Sequence, residues 1–331
     1  MDRKSVEGLL SNSKNRKIFI IGDVMLDKYM MGEVTRVSPE APVQVFDIKK
    51  TEYKLGGAAN VSHNVNSLGA YPFLIGVIGD DEEATMFKGV MGGFGQNTGG
   101  LIAESGRPTT AKTRVIADSH HLLRIDSESK EDISEETENK ILESLESNKG
   151  DIDIIILQDY NKGVLTPSLI KKVMDFANKN EIKTLVDPKF FNFFEYENAF
   201  LFKPNRKEFE QAIGKKINGE DDLLRYSEEL IEKLNCKYLV LTLGEHGMML
   251  FEKSDGEIVY TKIDTRARKV ADVSGAGDTV ISTIADCLAG EASVIDAVTI
   301  SNYAAGIVVE EVGIVPIDKQ KLIESIPENN V

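Results

Sequence analysis

The sequence predicts an α/β fold: a mostly parallel central sheet flanked by helices, with a small β-sheet lid beside it. Three observations carry this. Short β-branched runs alternate with amphipathic helical stretches, two regions break that rhythm with strands and no helix between them, and glycine-rich turns stand at helix starts.

The buried strands are "KIFIIG" (17–22), "FLIGVIG" (73–79), "DIIILQ" (153–158), "KTLVDP" (183–188) and "KYLVLTLG" (237–244). Apolar runs separated by helices suit a parallel sheet covered on both faces. The helices between them announce their ends. Thr166-Pro167 gives a cap followed by proline at the first helical position, with Ile170, Val173, Met174 and Ala177 on one stripe. Ser134 caps "EETENKILESLES", whose first turn is acidic and whose Ile141, Leu142 and Leu145 face inward. The rhythm breaks at 33–55 and 107–126, in "APVQVFDIKK", "TTAKTRVIA" and "HLLRID". In the last, Leu123 and Ile125 face one way and Arg124 and Asp126 the other, as in a half-exposed strand that covers a site or pairs with a partner.

Composition narrows the function. With 39 basic and 54 acidic residues the net charge is −15, which argues against non-specific nucleic-acid binding. Any phosphate must be held locally, by a few placed cations and backbone N–H groups. The start is polar and no apolar run approaches the ~18 residues of a membrane span. The expectation is a soluble cytoplasmic protein with no membrane partner. Cys236 and Cys287, the only cysteines, read as buried apolar residues without a disulfide or zinc role. "GGFGQNTGG" (92–100) lacks the lysine of a P-loop and reads as a flexible connection.

Four clusters carry chemistry. The first is "DVSGAGDT" (272–279), which leads into a helix. The first N–H groups of a helix lack intrahelical partners and carry the positive end of its dipole. Gly275, Ala276 and Gly277 would let an anion approach that backbone, and Asp278 beside it suits a general base in phosphoryl transfer. A tight turn with a capping aspartate explains the same eight residues, and the string alone does not choose. The second is Gly56-Gly57-Ala-Ala-Asn60, an entry turn or a close approach to a polar ligand. The third is Asp23 and Asp27 after the first strand, where open α/β sheets bind ligands. Aspartates there suit sugar hydroxyls; a solvated loop is the competing reading, strongest for Asp23. The fourth is "NRKE", where Asn205 and Glu208 are fully explained as a capping box and Gly214 closes the helix.

In this order the pieces resemble the PfkB (ribokinase-like) carbohydrate kinases. "GGAAN" and "DVSGAGDT" resemble the family's two signatures, "NRKE" its Asn-x-x-Glu motif, and 33–55 with 107–126 its lid. The resemblance runs over roughly 15–325 and implies a single ribokinase-like kinase domain spanning 1–331. "GDVMLDKYMMGEVTRVSPEAPVQV", "LQDYNKGVLT" and "NYAAGIVVEEVG" resemble the branch that phosphorylates D-glycero-β-D-manno-heptose 7-phosphate in the building of the lipopolysaccharide core. The histidines form no nucleotidyltransferase motif, so the expectation is a stand-alone kinase. That resemblance implies ATP- and Mg²⁺-dependent transfer to the C1 hydroxyl, giving the 1,7-bisphosphate.

It further implies Asp278 as base and Gly275, Ala276 and Gly277 as anion hole. Asp27, Gly56, Gly57 and Asn60 would hold the sugar. Glu208 would organise magnesium through water. Asn205, Thr242, Gly244, Gly247 and Asn302 would line the nucleotide pocket, where Tyr303 replaces a small residue. Arg36, Arg124, Lys162 and Lys189 are candidates for the sugar's own phosphate, and each also suits a solvated surface charge. A monovalent cation would sit near Asp272 and Ser274, and lid strands would pair two copies into a homodimer. Another sugar or nucleoside kinase is the nearest alternative, and a non-catalytic sensor on the same scaffold the next.

Overall fold

The computed structural model describes residues 2–118, 120–254, 256–266 and 270–328. In chain order its strands are β1 (Lys17–Gly22), β2 (Val24–Val37), β3 (Gln44–Gly57), β4 (Tyr71–Ile78), β5 (Leu101–Ala103), β6 (Ala111–Ala117), β7 (His120–Ser127), β8 (Ile154–Gln158), β9 (Lys183–Asp187), β10 (Leu201–Phe202), β11 (Tyr238–Thr242), β12 (Met248–Ser254) and β13 (Glu257–Ile263). The helices are α1 (Arg3–Asn12), α2 (Ala58–Leu68), α3 (Glu82–Gly93), α4 (Glu135–Asn148), α5 (Pro167–Lys179), α6 (Arg206–Ile213), α7 (Glu220–Leu234), α8 (Ala276–Ala289), α9 (Val294–Val308) and α10 (Lys319–Ser325).

The large sheet runs β13-β12-β11-β10-β9-β8-β1-β4-β5, parallel except for the hairpin β12–β13 at one edge. All five strands expected from apolar runs lie in it. Burial on both faces explains why those runs do not alternate with polar residues. Ile18 and Ile20 of β1 belong to one core with α2, α8 and α9, while Phe19 and Ile21 belong to the other with α4, α5 and α7. The helix starts follow the expected chemistry. Ser134 and Thr166 accept from the backbone three residues on, and Asn205 and Glu208 close a reciprocal capping box that ends at left-handed Gly214.

The small sheet has the order β3-β2-β6-β7. It starts earlier than the sequence suggested, because β2 leaves the large sheet at residue 24 and runs out continuously as a long ribbon with β3. Asp27 therefore lies on a strand and not in a loop. The 92–100 connection is mostly exposed and is anchored at buried Gln96, whose side-chain oxygen accepts from Ser62 (2.7 Å).

Candidate active site

The parallel strands point their C-terminal ends at one crevice, where such sheets place ligands. β1 delivers Asp23, β8 Gln158 and Tyr160, β9 Asp187, β10 Lys203, and α8 arrives with its N-terminus. The small sheet stands beside this crevice with Asp27 on its inner strand.

Asp278 sits at the centre, 2% exposed. Asn60 Nδ2 donates to its Oδ2 (2.8 Å), while Tyr160 Oη (2.7 Å) and Gln158 Nε2 (3.1 Å) donate to Oδ1. Burial, and to a lesser degree the Asp187 charge, push its carboxyl up to about 6 against the pull of these donors. A carboxylate poised there suits proton abstraction near neutral pH.

At the α8 N-terminus Gly275 is left-handed (φ 80°), and a side chain would press on Asn60 Nδ2 at 3.0 Å. The Ala276 N–H turns back onto Val273 O (3.3 Å). An anion here is thus left with the N–H groups of Gly275, Gly277 and Asp278 rather than with the whole expected trio. A Cβ at Gly277 would lie 3.5 Å from Lys203 Nζ and 3.7 Å from Asp187 Oδ2. Lys203, 2% exposed, pairs with Asp187 at 3.0 Å. This buried cation beside the helix terminus was missed in the sequence. Its signal was a lysine inside an apolar run.

The paired glycines have a local reason. A side chain on Gly56 would overlap Asp27 Oδ2, and one on Gly57, at φ 58°, would overlap the Asp23 carbonyl. Asp23 is no solvated loop residue: it is 1% exposed and accepts from the N–H groups of Tyr160, Lys162 and Val164. Burial and neighbouring Asp159 push it up to about 6. It pins the loop that carries Tyr160.

Asp27 is ion-paired with Arg114 through Oδ1, and its buried Oδ2 lacks a partner among the described residues. Strand register puts Asp27 and Tyr29, Lys54 of β3, Lys112 and Arg114 of β6, and Arg124 of β7 on one face. Arg114 lies over the Tyr29 ring at 5.1 Å, and Arg124 is its cross-strand partner. Lys162 joins this group through Glu128 (2.7 Å), which also holds Lys112 (3.3 Å). Lys189 goes elsewhere: it pairs with Glu208 and lies over the Tyr160 ring at 5.1 Å. Arg36 is exposed nine residues beyond Asp27 on β2, roughly 30 Å along an extended strand. Arg114 and Lys54 were passed over because nothing marks them until the strands are paired.

The other half of the crevice is a cleft of about 670 Å³. Asn205, Thr242, Gly244, Gly247 and Asn302 line it together with Ala276, Gly277 and Val280. Asn302 Nδ2 donates to Asp264 O at 2.6 Å. Tyr303 is not in the lining; it packs under Arg266. The Glu208 oxygens are occupied by Lys189 and the Asn205 N–H (2.9 Å). Asp272 accepts from the N–H groups of Ser274 (2.9 Å) and Gly313 (3.1 Å). Among the described residues no three His, Cys, Asp or Glu gather as a metal cluster, and no helix is long and apolar enough to cross a membrane.

A large cleft and a face carrying Asp27 meet at a helix N-terminus beside the buried Asp278 carboxylate, an arrangement suited to group transfer. Comparison with known proteins agrees. Residues 15–320 match the pfkB family carbohydrate kinases, and the chain belongs to that family. It is thus a phosphotransferase with an alcohol group as acceptor. It is 39% identical over 326 residues to "Bifunctional protein HldE" of Geobacter sulfurreducens, covering 98% of this chain and 66% of that protein. The protein of that name from Aliarcobacter butzleri is 42% identical over 301 residues, covering 91% and 62%. The chain thus spans a little under two thirds of the length of these relatives. Among solved structures it resembles Escherichia coli phosphofructokinase-2 in complex with potassium (TM-score 0.75, 17% identity, 94% and 98% coverage). Arabidopsis thaliana ribokinase complexed with ribose and ATP is also similar (TM-score 0.71, 18% identity, 94% and 99% coverage). At such identities the likeness is one of fold.

Proposed function

We propose that the protein transfers the γ-phosphoryl group of ATP to the C1 hydroxyl of D-glycero-β-D-manno-heptose 7-phosphate. The observation that carries the choice of a phosphorylated acceptor is the cationic face of Lys54, Lys112, Arg114 and Arg124 around Asp27. A neutral sugar or nucleoside has no use for a face on which these cations outnumber the carboxylates they pair with, Asp27, Asp126 and Glu128. The string "RVSPEAPV" and the likeness to heptose 7-phosphate kinases support the same acceptor.

The nucleotide suits the 670 Å³ cleft, with Thr242, Gly244, Gly247 and Asn302 around its base and ribose and Asn205 toward its phosphates. Magnesium keeps mostly water and phosphate ligands, so Glu208, already engaged by Lys189 and the backbone, would hold it through water. Bound ATP·Mg²⁺ supplies the phosphoryl group. The chain supplies the rest: Asp27 Oδ2 accepts from a sugar hydroxyl, the cationic face takes the 7-phosphate, and Asp278 takes the C1 proton. The α8 N-terminus and Lys203 neutralise charge on the moving phosphoryl group. Two copies would associate through the small sheet.

The test is ADP release with heptose 7-phosphate, fructose 1-phosphate, ribose and adenosine, on wild type and Asp278→Asn. Selective turnover of the heptose phosphate is expected, falling about 10²–10⁴-fold in the variant as loss of a general base predicts. In wild type kcat/KM should fall as pH drops through about 6, where burial places the Asp278 carboxyl in the free protein. Turnover of another acceptor would move the protein elsewhere in the family. Turnover of none that depends on Asp278 would put a binding role first.

A further inference from the structure

We propose that Tyr160 is a positioning residue that decides which oxygen of Asp278 takes the acceptor's proton. The inference rests on the reading of Asp278 as base, and it comes from the carboxylate's hydrogen-bond count. Each carboxylate oxygen offers two lone-pair sites. Oδ1 receives Tyr160 Oη and Gln158 Nε2 and is filled. Oδ2 receives only Asn60 Nδ2 and keeps one site open. The acceptor hydroxyl therefore meets Oδ2, on the side of Asn60 and the glycine turn.

Tyr160 is itself held from three sides. Its N–H donates to Asp23 Oδ2 (2.7 Å), its ring carries Lys189 at 5.1 Å, and its hydroxyl reaches Asp278 from a loop that Asp23 also grips at Lys162 and Val164. That network gives the "DYNKG" string a task that neither sheet packing nor phosphate binding assigns. The hydroxyl donates, so it favours the ionised carboxylate and keeps the base available at lower pH. The other charges facing the pair are Asp187 and Lys203 beside Asp278, and Lys189 and Glu208 beside Tyr160. None of them is altered by removing the phenol oxygen.

The experiment is a ¹³C NMR titration of the aspartate side-chain carboxyls in the free protein, with the Asp278 signal assigned by its absence in Asp278→Asn. Tyr160→Phe should raise the Asp278 midpoint by about one pH unit, a tenfold gain in proton affinity. Difluorotyrosine at 160, a stronger donor of the same shape, should lower it. The acid limb of kcat/KM should move with each midpoint, while KM for ATP stays within twofold. An Asp278 midpoint unmoved in both variants would overturn the proposal. A moved midpoint with activity indifferent to Asp278 would instead sink the assignment of Asp278 as base, so the two failures are told apart. Should Tyr160→Phe fold poorly, the fluorinated protein alone decides by the sign of its shift.

Discussion

Arg114 shows how much one side chain can hold without marking itself in a sequence. It neutralises Asp27, covers the Tyr29 ring and faces Arg124 across the strand pair. Under the proposed function it meets both a sugar hydroxyl's acceptor and the sugar's phosphate. Arg114→Gln keeps a donor for Asp27 and removes the charge. We expect KM for heptose 7-phosphate to rise at least about tenfold, as loss of a charge-assisted contact to phosphate implies. KM for ATP should remain within twofold. Steady-state kinetics with each substrate varied in turn checks this, and equal changes in both constants would remove Arg114 from the acceptor site. Lys162→Ala, one link further out through Glu128, should act in the same direction and more weakly.

Helix α8 carries the chemistry at one end and a second buried acid near the other. Every residue from Asp278 to Ala289 is buried, so the helix cannot turn a polar face to water. Asp286 is satisfied by Ser13 Oγ (2.8 Å) and the Ala70 N–H (3.2 Å), which tie α1 and the turn after α2 to this helix. Burial nevertheless pushes it up from 3.8 to about 7. The sign follows from linkage: the folded state holds this proton more tightly, so the contribution is fully present below 3.8 and is lost as pH rises through about 7. Asp286→Asn keeps the shape and cannot ionise. Its stability relative to wild type should improve by roughly 3 kcal/mol between pH 4.5 and pH 8, as the size of the shift implies. Urea unfolding at the two pH values measures it; a gap that does not depend on pH would refute the account. Legibility differs by element for the same physical reason. Strands buried on both faces and helices with side-chain N-caps declare themselves locally, and they were read correctly. β2 did not, because its mixed burial hides a strand that changes sheets at residue 24. The acid at the head of α8 was legible from its glycines, whereas Gln158, Tyr160, Asp187 and Lys203 meet it only through strand order. No local pattern encodes that meeting.

At the scale of the molecule, the small sheet presents one face to the site and leaves the other uncovered. Register runs Met30 of β2 beside Val115 of β6 and Val115 beside Leu123 of β7, an apolar band across three strands. Leu123 is 56% and Ile125 52% exposed, and β3 and β7 are edges of their sheet. A face of this kind marks an interaction surface, and an unpaired edge invites another strand. A second copy supplies both complements by two-fold symmetry, since the band is opposed by itself. We therefore expect light scattering after size exclusion to give a mass near twice 36.5 kDa. Leu123→Lys together with Ile125→Glu should shift the protein toward 36.5 kDa. Both substitutions lie on the outer face, opposite Arg124 and Asp126, so the cationic face stays intact. Under the proposed function, any loss of turnover in the monomer would then report a looser small sheet, with Asp27 and Arg114 less firmly held. A wild type already at 36.5 kDa at assay concentrations would end the dimer and leave the band to some other partner.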